Sequence, residues 1–401
     1  MITEIKWRIE QMRQGDIPAG YKKAASGIAP ANWKRYTLGD IYTERKESGD
    51  ENLPLLMVSI HSGVSDGEVD AAELPKQVKR IEDKSQYKKA VSGDLVFNMM
   101  RAWQGAIGTV RTTGMVSPAY IVAEPNDKAY PLFMDYYSRT PQMINQIDRQ
   151  SYGVTDFRKR LYWDSFAPIG CILPPIAEQR KIAAILTTQD KVIELKEKRL
   201  AEKQRQKKYL MQQLLTGKKR LPGFLKSWKT VELGEIFNYI QPTAYLVKTT
   251  DYDDSYKTPV LTAGKTFILG YTNETEGVFT KVPVVIFDDF TTATKYVDFP
   301  FKVKSSAMKI LTIKDGLSIV FAYEAMQLIK FTVGGHERHW ISKYSCLTID
   351  IPDIEEQTAI AEVLSAADRE IELLQQDIEQ EKQKKKALMQ LLLTGIVRVK
   401  T

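Results

Sequence analysis

Apolar residues recur at steps of three, four and seven through two long stretches of this chain. Ile182, Leu186, Ile193, Leu200, Leu210 and Leu214 mark one stripe; Ile360, Leu364, Ala367, Ile371, Leu374, Ile378, Leu388 and Leu392 mark the other, and one step of ten interrupts each. This spacing puts each set on a single helix face and is the spacing of helices packed as a coiled coil. Pro174 and Pro352 stand at the start of the two stretches, and Gly217 and Gly395 just past their ends. Proline lacks an N–H that the first helical turn cannot use, and glycine accepts the positive φ of a helix end, so these residues read as helix limits. Each helix is expected to run for about 40 residues, or about 60 Å at 1.5 Å per residue. Neither can bury its stripe alone, so the two are expected to pack on each other. An antiparallel pair is the simplest topology because a whole domain separates the end of one helix from the start of the other; a parallel pair stays open.

The two stretches are copies. A constant offset of 178 residues carries 174–217 onto 352–395 without a gap, with 20 identities in 44 pairs. Only duplication produces such agreement. The repeat extends upstream: Trp33 with Leu38-Gly39-Asp40-Ile41 matches Trp228 with Leu233-Gly234-Glu235-Ile236, at an offset of 195. The 17 residues by which the offsets differ are lost inside the second globular segment, so the frames persist while the segments between them have diverged.

This organisation divides the chain into an N-terminal extension, residues 1–32, with a short helix over 5–23; a globular segment, 33–173; a long helix, 174–217; a linker, 218–227; a second globular segment, 228–351; a second long helix, 352–395; and a tail, 396–401. The first segment shows β-like runs, LPLLMVSI, GDLVFNMM and GAIGTV, and a helical stretch over 131–149 that Pro141 breaks in two. The second has TPVLTAG, VPVVIFDDF, MKILTI, LSIVFAY and CLTIDI around the helical AYEAMQLIK. Both are read as α/β domains with curved, mixed sheets, so the chain is expected to be of the α+β or mixed class, with two such domains separated by two long helices that form an antiparallel coiled coil in a pseudo-twofold repeat.

Composition narrows the function. The chain has 401 residues, 43% hydrophobic and 27% charged, and no apolar run long enough to span a bilayer. Its N-terminus has scattered charges and no apolar signal core, and it holds only two cysteines, Cys171 and Cys346. A cytoplasmic protein without a disulfide framework is expected. The net charge of +7 favours an anionic partner such as nucleic acid.

Basic and aromatic residues interleave in three loops, NMMRAWQG, SYGVTDFRKRLYW and GGHERHWISKY. Arginine and lysine neutralise phosphates, arginine and glutamine read base edges, and tyrosine packs on sugar or base. The 178-residue offset also pairs Arg158 with His336, Arg160 with Arg338, Tyr162 with Trp340 and Phe166 with Tyr344, a basic hairpin ahead of each helix. The plainer reading makes Trp103, Trp163 and Trp340 core residues. Catalytic motifs fail on inspection. LTAGKT has Pro259 where a phosphate loop needs glycine, and His336 and His339 are three apart rather than the four of a zinc-protease helix. FDDFTTATK offers Asp288, Asp289 and Lys295 without completing a metal set, which leaves a turn or a base-reading loop. No catalytic residue and no metal site is expected.

The duplicated PPIAEQRKIAAIL…LMQQLLTG and PDIEEQTAIAEVL…LMQLLLTG, with the LGDI and LGEI frames, resemble the DNA-specificity subunit of Type I restriction-modification systems. YKKAVSGDLVFNMMRAWQGAIGTV and VVIFDDFTTATKYVDFPF are similar to target-recognition domains of that family, so the resemblance covers nearly the whole chain. It implies two target-recognition domains, each reading one half of a bipartite site in double-stranded DNA. It also implies a helix pair that sets the spacer and docks two modification subunits, which are adenine methyltransferases, with restriction subunits completing the nuclease. No cofactor is then expected in this chain: S-adenosylmethionine belongs to the modification subunits, and ATP and Mg to the restriction subunits. The expected DNA contacts are Arg101, Gln104, Tyr152, Arg158, Lys159, Arg160, Lys265, Asp288, Asp289, Thr291, Lys295, His336 and Arg338. A scaffold or dimerising coiled-coil adaptor that binds no DNA is the second reading, and a stand-alone nuclease or methyltransferase, against which the missing motifs speak, is the third.

Overall fold

The computed structural model describes residues 2–24, 27–50, 52–61, 63–65, 84–153, 158–262, 266–331 and 339–400. The chain forms two compact units, residues 1–195 with 378–401, and residues 196–377. Each unit therefore holds one globular segment, the start of one long helix and the end of the other. Those helices are Ile176–Leu214 and Ile354–Leu393.

In the first unit the principal strands are β1 (Lys34–Thr37), β2 (Tyr42–Glu44), β3 (Leu95–Asn98), β4 (Ile107–Thr109), β5 (Tyr120–Pro125) and β6 (Gly170–Leu173). Four of them form an antiparallel sheet in the order β2-β5-β3-β4, while β6 pairs antiparallel with β1. The continuous apolar run Leu95-Val96-Phe97 reflects burial of both faces of β3. Leu95 and Phe97 meet Phe133, Met134 and Ile147 of the helices Pro131–Tyr137 and Pro141–Gln150. Val96 faces the other way, with Leu56, Val58 and Val116.

The second unit repeats the plan with β7 (Lys229–Glu232), β8 (Phe237–Ile240), β9 (Val284–Asp288), β10 (Thr294–Val297), β11 (Met308–Ile313) and β12 (Thr348–Ile351). Its sheet order is β8-β11-β9-β10, again antiparallel, and β12 pairs with β7. Val285, Phe287 and Leu311 pack on the helix Ile319–Met326, and Val284, Ile286 and Ile310 on Phe279, Phe301 and Val303. Parallel pairing is confined, among the described residues, to Thr258–Leu261 with Lys302–Val303 and to two isolated bridges.

The repeated sequence frame performs the same local job in both units. Leu38 N donates to Ile169 O at 2.8 Å, and Leu233 N to Leu347 O at 2.9 Å. Gln179 Nε2 donates to Pro174 O at 2.9 Å and Gln357 Nε2 to Pro352 O at 2.8 Å, fastening the start of each long helix. Gly217 (φ 66°) and Gly395 (φ 73°) end those helices in the left-handed region, as the sequence predicts. Each unit also buries a glutamate between an indole and a guanidinium. Glu178 accepts from Trp33 Nε1 at 3.3 Å and from Arg398 Nε at 2.7 Å; Glu356 accepts from Trp228 Nε1 at 3.1 Å and from Arg220. Each arginine lies three residues past the glycine that ends a long helix, so a helix tail is locked onto the tryptophan frame in both units.

The apolar stripes bury unevenly. In the first unit Ile182 and Leu186 sink into the core with Leu392 and Leu393, with Leu388 half-buried beside them, and Ile193 and Ile378 are also buried. In the second, Leu214, Ile360 and Leu364 are buried with Phe321 and Ala325, and Leu210 is half-buried. These contacts join the start of one helix to the end of the other, so within each unit the helices run antiparallel. The stripe residues thus serve the globular cores as well as the partner helix. Leu200, Ile371 and Leu374 are only half-buried, and ion pairs take over there: Lys196 with Asp377 at 2.8 Å and Lys203 with Glu370 at 2.9 Å.

Two local expectations are corrected. LSIVFAY is not a strand: Ser318 caps a helix, its hydroxyl accepting from Phe321 N at 3.3 Å, and the run is strand-like in composition because Ile319, Phe321, Ala322, Ala325 and Met326 are buried on several sides. The N-terminal helix covers Ile2–Gln14 and stops at Gly15 (φ 88°), after which Tyr21–Ala24 forms a strand.

Candidate nucleic-acid interface

In the first unit the loop joining β3 to β4 starts with an Asx turn. Asn98 Oδ1 accepts from Met100 N at 2.9 Å, and Asn98 N donates to Ala106 O at 3.0 Å to close the loop. Gly105 adopts φ 103°, which allows the return to β4. Arg101 and Gln104 project from this loop and are exposed.

The basic hairpin docks against the same loop. Tyr152 and Arg160 exchange backbone hydrogen bonds of 3.1 and 2.8 Å, and Leu161 N donates to Met99 O at 2.8 Å. Tyr152 is 59% exposed, its ring 5.5 Å from that of Tyr162. Arg101, Arg158 and Arg160 are exposed and have no acidic partner among the described residues. Lys159 differs. Its Nζ lies 2.8 Å from Asp148 and 5.7 Å from the Trp103 ring, so its charge is already matched within the unit. The structure brings Arg101, Gln104, Tyr152, Arg158 and Arg160 into one neighbourhood and turns Lys159 to a structural task.

In the second unit the corresponding loop joins β9 to β10. Asp288 Oδ1 accepts from Phe290 N at 3.0 Å, Thr291 N at 2.6 Å and Thr291 Oγ1 at 2.9 Å. Asp289 accepts from Trp340 N at 2.9 Å and pairs with Lys309 at 3.4 Å, both side chains being 1% exposed. This corrects the expectation that the two aspartates contact DNA: one carboxylate builds the turn and the other is buried. Paired acidic residues look alike in sequence whether they face solvent or fold inward. Thr291 and Lys295 are exposed. Lys265, His336 and Arg338 lie outside the described residues. Trp340 belongs to the second unit's core, as the plainer reading has it, with Tyr344 beside it, while Trp103 and Trp163 are half-buried and packed against the first unit's core.

Sequence reasoning missed the buried glutamates and their arginines, although the 178-residue offset aligns Glu178 with Glu356 and Arg220 with Arg398. It also missed the equivalence of the two hairpin loops, because a difference of three residues in their length breaks any constant offset. No group of three or more His, Cys, Asp or Glu side chains able to hold a metal occurs among the described residues. None of their helices is long and apolar enough to cross a membrane.

Comparison with known proteins follows the same lines. A family model described as Type I restriction modification DNA specificity domain matches residues 226–383. The Type I restriction enzyme EcoR124I/EcoR124II specificity subunit of Escherichia coli is 55% identical over 140 residues, covering 33% of this chain and only 34% of that relative. The putative type I restriction enzyme MjaX specificity subunit of Methanocaldococcus jannaschii is 25% identical over 95% of this chain and 97% of its own. Among solved structures, the Type I restriction-modification system S subunit from M. genitalium has the same fold, with a TM-score of 0.60 at 12% identity over 92% of this chain and 97% of that one.

Proposed function

We propose that this chain, which belongs to the DNA-specificity subunit family of Type I restriction-modification systems, reads a bipartite DNA sequence for partner enzymes and carries no chemistry of its own. The observation that carries the reading is the repetition of one plan in both units, each containing a β-hairpin loop fixed by an Asx turn. Exposed Arg101, Gln104, Tyr152, Arg158 and Arg160 supply phosphate, base-edge and stacking contacts in one half-site. Thr291 and Lys295, together with Lys265, His336 and Arg338, serve the other.

Under this reading the residues of the long helices set the gap between the half-sites and dock two modification subunits, which bring S-adenosylmethionine. Restriction subunits bring ATP and Mg. Helices of 39 and 40 residues suit a spacer role, since about 60 Å corresponds to about 17 base pairs of duplex. Cytoplasmic work on host DNA follows.

Replacing residues 228–351 by the same segment of a relative tests the proposal. One half of the methylated sequence should change while the other half and the gap stay fixed. A change in both halves would refute independent reading by the two units.

A further inference from the structure

The two β-hairpin loops superpose in their bonding, residue for residue, around a three-residue difference in length. Asn98 and Asp288 both accept from the N–H two positions on. Asn98 N donates to Ala106 O and Asp288 N to Ala293 O. The residue between them and the tip is tied down identically: Met99 O accepts from Leu161 N and Asp289 O from His339 N, while Met99 N donates to Ala119 O and Asp289 N to Ala307 O. The left-handed position before the closing alanine is Gly105 in one loop and Thr292, at φ 58°, in the other. A threonine held there is strained, and such strain persists where the surrounding bonds dictate the loop shape.

What this shared scaffold presents is an apolar side chain. The residue whose N–H closes the Asx turn is Met100 in the first unit, 46% exposed, and Phe290 in the second, 41% exposed. Their polar neighbours are exposed, Arg101 and Gln104 in the first loop, Thr291 in the second and Lys295 in the strand β10 that follows it. Exposing a large apolar group gains nothing for folding, and two diverged segments have kept it at the same bonded position. In a groove of base edges the apolar partner for such a group is the thymine C5-methyl.

Building on the proposed function, we infer that Met100 and Phe290 are specificity-determining residues, one for each half-site, each reading the C5-methyl of a thymine in the major groove. The polar neighbours then supply hydrogen bonds to adjacent edges, and the apolar tip discriminates thymine from cytosine, which lacks the methyl.

The test uses the chain assembled with its modification subunits, once the methylated sequence has been established. Equilibrium binding is measured to duplexes in which each half-site thymine is replaced singly by uracil. In each half-site one replacement should weaken wild-type binding by about fourfold, the effect of removing one buried methyl. Met100→Ala should abolish sensitivity at the position in one half-site only, and Phe290→Ala in the other, while Met100→Leu and Phe290→Leu should retain it. The inference is overturned if a half-site contains no thymine, if the alanine variants keep full uracil sensitivity, or if 2-aminopurine fluorescence shows that these side chains unstack bases instead. Loss of modification-subunit assembly in Met100→Ala or Phe290→Ala would also overturn it, by making the tips protein contacts. A complex that methylates no split sequence would overturn the proposed function itself, and with it this inference.

Discussion

His339 is fully buried, and neither ring nitrogen has a hydrogen-bond partner among the described residues. Its backbone position explains the choice: in the first unit Leu161 makes the same N–H bond to the hairpin loop and is equally buried. The ring therefore fills space, against Phe331 at 5.6 Å, and its polar atoms find no partner among the described residues. Replacing a buried unsatisfied polar group by an apolar one of similar size is neutral to stabilising. His339→Leu should hold or raise stability, by up to about 2 kcal/mol, in thermal unfolding; a clear fall would show that the imidazole has a hidden task. Arg160, by contrast, is exposed without an acidic partner among the described residues. If it meets phosphate, Arg160→Ala should weaken binding to all sequences and lower the salt slope by about one. If it reads a base, it should relax one position. Wild-type binding across several salt concentrations would contradict both roles.

At the level of elements, the long helices were legible because their period, proline starts and glycine ends all agree. Their energetics were not. Lys207 of the first helix reaches Asp368 of the second at 2.6 Å and Glu324 of the helix Ile319–Met326 at 3.0 Å. Burial raises the Glu324 carboxyl above its ordinary value, with Lys207 opposing the rise. Burial works against the charge on Lys207, yet its hydrogen bonds to Asp368 and Glu324 leave its own pKa raised. A carboxyl whose pKa is higher folded than unfolded favours the fold below its unfolded value and loses that contribution as pH rises through its folded value. Lys207→Met removes the opposing charge and pushes Glu324 higher still. Its loss of stability relative to wild type should therefore be larger at pH 8 than at pH 5 in urea unfolding; equal losses would show that the ion pair is not what matters. The hairpin loops were the least legible elements. Their equivalence lies in backbone bonds across an insertion, and nothing in the letters separates buried Asp289 from a surface carboxylate. LSIVFAY misled for a related reason: burial on several sides erases the helical period.

For the whole molecule, a net charge of +7 suits a DNA partner without specifying one, and the duplication carries more weight. Two units built to one plan, each with its own tip residues, are what independent reading of two half-sites requires. The two-unit plan was legible in the repeat, whereas on the proposed reading the bases are set by loop side chains that follow no sequence code. The central claim is tested most directly by long-read sequencing of adenine methylation in host DNA with this gene present and deleted. The account predicts a split sequence with a constant gap, methylated only when the gene is present. Methylation that is unchanged by the deletion, in a host whose modification subunits are expressed, would contradict it.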